Sequence, residues 1–428
     1  MSRAANSFYG WHVVGAAFTA QFVSSFCTLA GIGPFFTVIE EEFSTNASTI
    51  SNAVGASILL MGLLGPLVGR AIDQGNQRAI MISGVIVMSA GLAFTAQAKT
   101  LWQLGLSFCV IVNLGIVLFG PMPSVTLVSR WFIRRRGLAV AVTVAGATLA
   151  SAASPVIGAW LIELEGVGWR GALIFYAVGA GVITLPVFWL LLVKSPEELG
   201  QSPDGEPSPG PQSEPDGVSY SAGELLRDRN FLVIATGLAL LFTAPIVCTL
   251  HFVPYAEKDL GIPKQEAAYF FTFLAIFSLL GKIVFGFVSE RVHPRHALWV
   301  AVSLLVAGWG VLLGHPGVLL LMAAAALMGL GVGALGPLQA VVIGTCFGRA
   351  GFGHVMGLSG LVSLPLIAGA NPLAGWLYVR TGDYRAAFGC EVGFLLLAGL
   401  LFALLRLPVD GGAAKPARAA EARERVGA

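Results

Sequence analysis

Two side chains invite chemistry in this largely apolar chain of 428 residues, Lys282 and His251. Lys282 lies inside the run 266–290, EAAYFFTFLAIFSLLGKIVFGFVSE, which otherwise reads as a membrane-spanning helix. At about 1.5 Å per residue, roughly 12 Å of helix separate it from the polar end at Glu290, near the middle of a hydrocarbon layer about 30 Å thick. A charge at that depth costs about 2.5–3.5 kcal/mol on insertion scales, so such residues face a polar cavity and mark a substrate or ion path. No acid stands near Lys282 in its own run, which argues against a purely structural ion pair. The side chain points to a carrier of a small anion. His251 lies in PIVCTLHFVPYAEKDL, where Cys248, His251 and Tyr255 at i, i+3 and i+7 share one helical face. An imidazole with an ordinary pKa of about 6.5 suits proton exchange or a hydrogen bond to an anion; a packing histidine fits the same pattern.

The elements that must position these groups are membrane spans. Hydrophobic residues make up 56% of the chain and charged residues 11%, with a mean hydropathy of +0.80. Twelve windows of about 20 apolar residues fit the sequence, six on each side of an abrupt polar break. The expected fold is an all-α membrane protein with twelve transmembrane helices in two pseudo-symmetric six-helix bundles. The expected domains are residues 1–194, a linker over 195–229, a second bundle over 230–407 and a tail over 408–428. The linker is rich in Pro, Gly, Ser and acidic residues and reads as disordered, apart from a short helix opened by Ser221 and Glu224 as a capping box. Most of the 25 basic residues fall on the face that carries both termini, including Arg130, the run Arg134–Arg136 and the tail. The positive-inside rule then makes both termini cytoplasmic, in a multi-pass protein of the cell's inner membrane.

Other classes of function find no support. There is no P-loop, HExxH or GxSxG, so no enzyme is expected. The five cysteines fall in apolar spans without CxxC spacing, which excludes an obvious metal or disulfide framework, and no cofactor is implied. A net charge of +2 gives no reason to invoke nucleic acid. The expected partners are the lipid bilayer, a small anion and the proton, with the protein acting as a monomer.

The two halves repeat one another. Gly69-Arg-Ala-Ile-Asp73 matches Gly286-Phe-Val-Ser-Glu290, Gly120-Pro121 matches Gly336-Pro337, Gly137 matches Gly353, and Trp160-Leu161 matches Trp376-Leu377, at nearly constant offsets. Such a repeat implies two parallel bundles related by an axis along the membrane normal, with substrate bound between them near the midplane.

The segment from Gly65 to Arg78, GPLVGRAIDQGNQR, resembles the helix 2–3 loop motif of the major facilitator superfamily. The opening Gly10-Trp11, the segment Arg130-Trp-Phe-Ile-Arg-Arg-Arg136-Gly and Thr381-Gly-Asp-Tyr384-Arg385 are similar to the monocarboxylate transporters within it. That resemblance implies a bacterial, proton-coupled symporter of L-lactate and pyruvate. An oxalate/formate-type anion exchanger and a drug/proton antiporter share several of these motifs and stand as alternatives. Animal members carry an Asp and, four residues later, an Arg in the eighth helix; Ser278 and Lys282 occupy those positions here, and Leu29 occupies the place of a first-helix Lys.

The candidate substrate-binding residues are therefore Lys282, His251, Leu29, Asn113, Tyr255 and Ser278. Lys282 and His251 are the candidates for proton coupling, because a buried lysine, unlike an arginine, can give up its proton. Leu29 would limit substrate size. Asn113, like Gln339 and Asn371, fits either the cavity or a bridge between helices. The resemblance further implies a cytoplasmic latch made by Asp73 with Arg70, Arg130 and a helix terminus. Glu391, a turn or two into the twelfth window, is expected at the interface or paired with Arg385.

Overall fold

The computed structural model describes residues 8–28, 35, 38–45, 47–205, 220–262, 264–349 and 351–407. Leu29 and the tail after residue 407 lie outside the described residues. The helices of the first half are α1 (Gly10–Phe26), α2 (Ala47–Gln74), α3 (Gln77–Ala96), α4 (Leu101–Trp131), α5 (Arg136–Glu163) and α6 (Gly168–Leu191). The second half supplies α7 (Arg229–Lys258), α8 (Lys264–Arg291), α9 (Pro294–Leu312), α10 (Val318–Phe347), α11 (Phe352–Thr381) and α12 (Arg385–Ala403). Eleven of these are long and apolar enough to cross a membrane among the described residues. With 17 residues, α1 reaches the short end of the spanning range and completes the twelve.

Local chemistry sets the helix starts. The side chains of Asn76, Thr100 and Asp228 accept the backbone N–H three residues on, at 3.1, 3.2 and 2.8 Å, and open α3, α4 and α7. Hydrogen bonds within each helix satisfy the backbone in hydrocarbon, and neighbouring helices tolerate interior prolines such as Pro66, Pro155 and Pro337.

Within the first bundle α1 packs on α4 and α5, and α3 on α4 and α6. In the second, α7 packs on α11 and α12, α8 on α10, and α9 on α10 and α12. The bundles meet chiefly through α2 against α11 and α5 against α8. The repeat exchanges these two interfaces, since α8 is the counterpart of α2 and α11 of α5.

Two local features depart from the sequence reading. Ser107–Val112 in α4 forms a π-helical segment. The Asn113 side-chain amide donates to the Phe108 carbonyl at 2.9 Å, bracing this widened turn from its end. The linker is also not structureless throughout. Residues Pro196–Leu199 and Pro203–Gly205 form short 3-10 turns held by side-chain bonds rather than by apolar burial. The Asp204 carboxylate accepts the amides of Ile133, Arg134 and Arg135 at 2.9, 2.9 and 3.2 Å. Glu197 pairs with Arg349, in the α10–α11 connection, at 2.9 Å. The first stretch of linker is thus a strap joining both halves, while 206–219 lie outside the described residues. The capping box of Ser221 and Glu224 is present at the start of Ala222–Leu225.

Candidate functional site

The α2–α3 and α4–α5 connections lie on the face richest in basic residues, here called the basic face. There the two bundles close on one another, and small residues make the closure possible. A Cβ added to Gly69 would stand 2.3 Å from the carbonyl oxygen of Gly353, and one on Gly137 would stand 2.7 Å from that of Gly286. Each pair is the repeat image of the other. Gly55, Gly62 and Gly69, seven residues apart, share one face of α2. A Cβ at Gly62 would first meet the Leu364 side chain, at 2.7 Å, rather than backbone, and one at Gly55 would meet nothing within 4 Å. So α2 and α11 diverge with distance from the basic face.

Asp73 bridges the two bundles at this contact. Its carboxylate accepts the Gly353 and His354 amides at 3.2 and 2.7 Å, where α11 has free N–H groups at its N-terminus. It also pairs with Arg130 at 2.8 Å, both side chains being 9% exposed. Arg130 is held in turn by Gln77 Oε1 at 2.9 Å and the Ile72 carbonyl at 3.3 Å. The structure thus joins Asp73, Arg130 and a helix terminus. Arg70 does not take part: it is exposed and makes no hydrogen bond or ion pair among the described residues. Gly69 makes the α11 contact, and Arg70, the next residue, points about 100° away from it around the helix. On the repeat-related interface, Glu290 accepts the Leu138 amide at the start of α5 at 3.2 Å.

Lys282 stands one helical turn beyond the Gly286–Gly137 contact, at the interface of the two bundles. Its Nζ donates to Thr148 Oγ1 on α5 and, at 3.4 Å, to Ser278 Oγ one turn away on α8. Gly333 of α10 packs against this turn; a Cβ there would stand 2.3 Å from the Ser278 carbonyl oxygen and 2.8 Å from the Lys282 backbone nitrogen. Among the described residues no carboxylate lies within 4 Å of Lys282. An ammonium has three donors, two of them engaged by neutral hydroxyls, so the site holds an uncompensated positive charge with a donor to spare. Such a group can bind a carboxylate.

The other sequence candidates lie elsewhere. His251 is 8% exposed, its Nε2 is 3.3 Å from the Asn371 carbonyl oxygen on α11, and its ring packs near Tyr384. No hydrogen bond joins it to Lys282. Tyr255 is fully buried against Phe388 and Tyr384, and its hydroxyl donates to the Leu312 carbonyl at 2.6 Å. It is a core residue, because its one polar atom is already satisfied inside the second bundle. Asn113 serves the π segment of α4 and is 5% exposed, so it too is withdrawn from the interface. Glu391 does not pair with Arg385, which lies 3.6 Å from Asp383 instead.

Comparison with known proteins agrees with this geometry. The profile of the Major Facilitator Superfamily matches residues 17–306 and 247–427, covering most of the sequence. The chain belongs to the major facilitator superfamily. It is similar to Monocarboxylate transporter 11 of Homo sapiens, 29% identical over 412 residues that cover 91% of this chain and 81% of that protein. It is also similar to Monocarboxylate transporter 4 of Rattus norvegicus, 26% identical over 420 residues, covering 94% and 85%. Among solved structures of the superfamily, the human organic anion transporter MFSD10 (TETRAN) superposes with a TM-score of 0.71 at 16% identity, covering 92% of this chain and 99% of that one. The superfamily transporter FucP, solved in the outward conformation, gives 0.68 at 14% identity over 95% and 100%. These structural likenesses show the shared fold.

Sequence reasoning missed Thr148, the partner of Lys282 across the superfamily's two bundles. A threonine in an Ala- and Val-rich helix carries little signal alone. Its position becomes informative only once α5 is placed against α8.

Proposed function

We propose that this chain is a proton-coupled symporter of short monocarboxylates such as L-lactate and pyruvate, working by alternating access as a monomer in a bacterial inner membrane with both termini cytoplasmic. One observation carries the reading: a single uncompensated ammonium, Lys282, stands between the bundles just beyond a closed basic face. A monocarboxylate needs one such cation, whereas a dicarboxylate calls for a second deep positive charge. The similarity to proteins named monocarboxylate transporters supports the same cargo.

In this scheme the carboxylate enters from the face opposite the latch, where α2 and α11 have diverged, and replaces Thr148 or Ser278 at the Lys282 Nζ. Neutralising the ammonium removes the charge that opposes rocking across the bilayer. Opening on the basic face then requires Asp73 to leave the α11 N-terminus. For the empty return, Lys282 gives up its proton, or His251 carries it, since Ser278 and Leu29 stand where animal relatives have ionisable residues.

Uptake of labelled L-lactate into proteoliposomes under an inward proton gradient tests the proposal. Accumulation that collapses with an uncoupler is the expected result. Uptake that ignores the gradient and needs a trapped internal anion would make the protein an exchanger of the oxalate/formate type.

A further inference from the structure

Glu391 is a buried carboxyl group that has no cation beside it among the described residues, 2% exposed, about two turns into α12. Its Oε1 lies 2.7 Å from Thr243 Oγ1 on α7, and that same Oγ1 lies 2.6 Å from the Leu240 carbonyl oxygen. Around it a cavity of about 10 Å³, at the lower limit of the space one water needs, is lined by Val247, Ala370, Leu373, Ala374 and Phe394.

Two contacts this short are hard to serve with one hydrogen, because a hydrogen shared between two acceptors goes with longer distances. A threonine hydroxyl has one hydrogen and the Leu240 carbonyl has none to give. If Glu391 were ionised, a single hydrogen would have to serve both contacts, leaving one pair of oxygen lone pairs face to face at hydrogen-bond distance. Only one arrangement puts a hydrogen in each contact: Thr243 donates to Leu240, and a protonated Glu391 donates to Thr243.

No opposite charge favours the ionised form. No basic nitrogen lies within 4 Å of Glu391 among the described residues. The titratable neighbours on the packed elements are the Cys248 thiol on α7 and the Cys390 thiol on α12 itself. His251 is eight residues beyond Thr243, roughly 12 Å along α7, and is turned to the Asn371 carbonyl. The ionisable groups of α9, Arg295 and His296, stand at its opposite end, and the part of α11 lining the cavity has none. A carboxylate in such surroundings is neutralised rather than buried charged.

We propose that Glu391 is a proton-binding site of the second bundle, filled in this conformation and closed by Thr243 on α7. The proton binds at the carboxylate oxygen facing Thr243, and the site ties α7 to α12. It stands independently of which anion the protein carries.

Infrared spectroscopy of the purified, lipid-reconstituted full chain at neutral pH tests this, by comparing wild type, Glu391→Gln and Thr243→Val. The C=O stretch of a protonated carboxylic acid is expected in wild type, absent in Glu391→Gln, and moved to higher frequency in Thr243→Val, where the acid loses its acceptor. Glu391→Gln, a neutral isostere that can still donate to Thr243, is expected to keep the wild-type unfolding temperature. A wild-type spectrum lacking that band, with only ionised carboxylate signals lost in Glu391→Gln, would overturn the proposal. If Glu391→Gln does not fold, an acid band that is unmoved in Thr243→Val overturns it equally.

Discussion

Gly69 and Gly353 meet backbone to backbone, so closely that a Cβ on the first would stand 2.3 Å from the carbonyl oxygen of the second. The repeat brings Gly286 and Gly137 together across the other interface, where a Cβ on Gly286 would stand 3.2 Å from the Gly137 carbonyl oxygen and one on Gly137 would stand 2.7 Å from that of Gly286. Each closure carries an acid from one helix to the free amides opening another: Asp73 to His354, and Glu290 to Leu138. The basic face is therefore shut by two copies of one device.

Because the obstacle is a carbonyl group and not a flexible side chain, Gly69→Ala is expected to disfavour this closed state. Overpacking of this kind costs about 1–3 kcal/mol, roughly 5- to 150-fold in population. Spin labels on the basic-face ends of α2 and α11 should report longer distances in the variant. An unchanged distance distribution would refute the close approach.

The two copies of the device differ in strength. Asp73 has two amides and a buried partner in Arg130, whereas Glu290 is exposed and accepts one amide at 3.2 Å. Removing one member of a buried pair costs about 3–5 kcal/mol, against about 0.5–1.5 kcal/mol for an ordinary hydrogen bond. Asp73→Asn should therefore open the basic face far more than Glu290→Gln, measured by the accessibility of a cysteine placed beyond the latch to an impermeant thiol reagent. Equal effects would contradict the assignment.

The strap responds to acid. Burial pushes the Glu197 carboxyl up, but hydrogen bonds from its own backbone and from Arg349, with the Arg349 charge, outweigh this and leave it below the ordinary carboxylate value. A group lowered on folding stabilises the folded form above its unfolded-state pKa, about 4.3 for Glu, and that contribution fades as pH falls through the folded value. Protection of residues 196–205 from proteolysis should hold from neutral pH down to about pH 4, then decline. Glu197→Gln should lack the pH-dependent part throughout.

How much of this was legible in the sequence follows the length scale of each interaction. The repeat, the twelve spans and the Ser221 capping box rest on local composition or spacing, and they are present in the fold. Asp73 and Lys282 stood out because a charge beside or within hydrocarbon is expensive wherever its partner lies. Their partners did not stand out. Thr148, Thr243 and the His354 amide come from helices 134 or more residues away in sequence, and the last is a backbone atom, which carries no signature. The face-sharing of His251 and Tyr255 was correctly periodic, yet periodicity does not say which face meets the other bundle, and Tyr255 turned inward to Leu312. The start of the linker departs from its reading as disordered for a different reason: Asp204 holds three backbone amides, so the strap needs no apolar residues.

The charge of Lys282 is the feature on which anion binding here turns, and L-lactate binding to the purified full chain tests it most directly. Calorimetry would compare wild type, Lys282→Arg and Lys282→Ala at neutral pH. A charge-assisted hydrogen bond of about 1.5–3 kcal/mol predicts at least roughly tenfold weaker binding in Lys282→Ala, with Lys282→Arg retaining part of the affinity. Wild-type affinity in Lys282→Ala would contradict the account and place the anion site elsewhere.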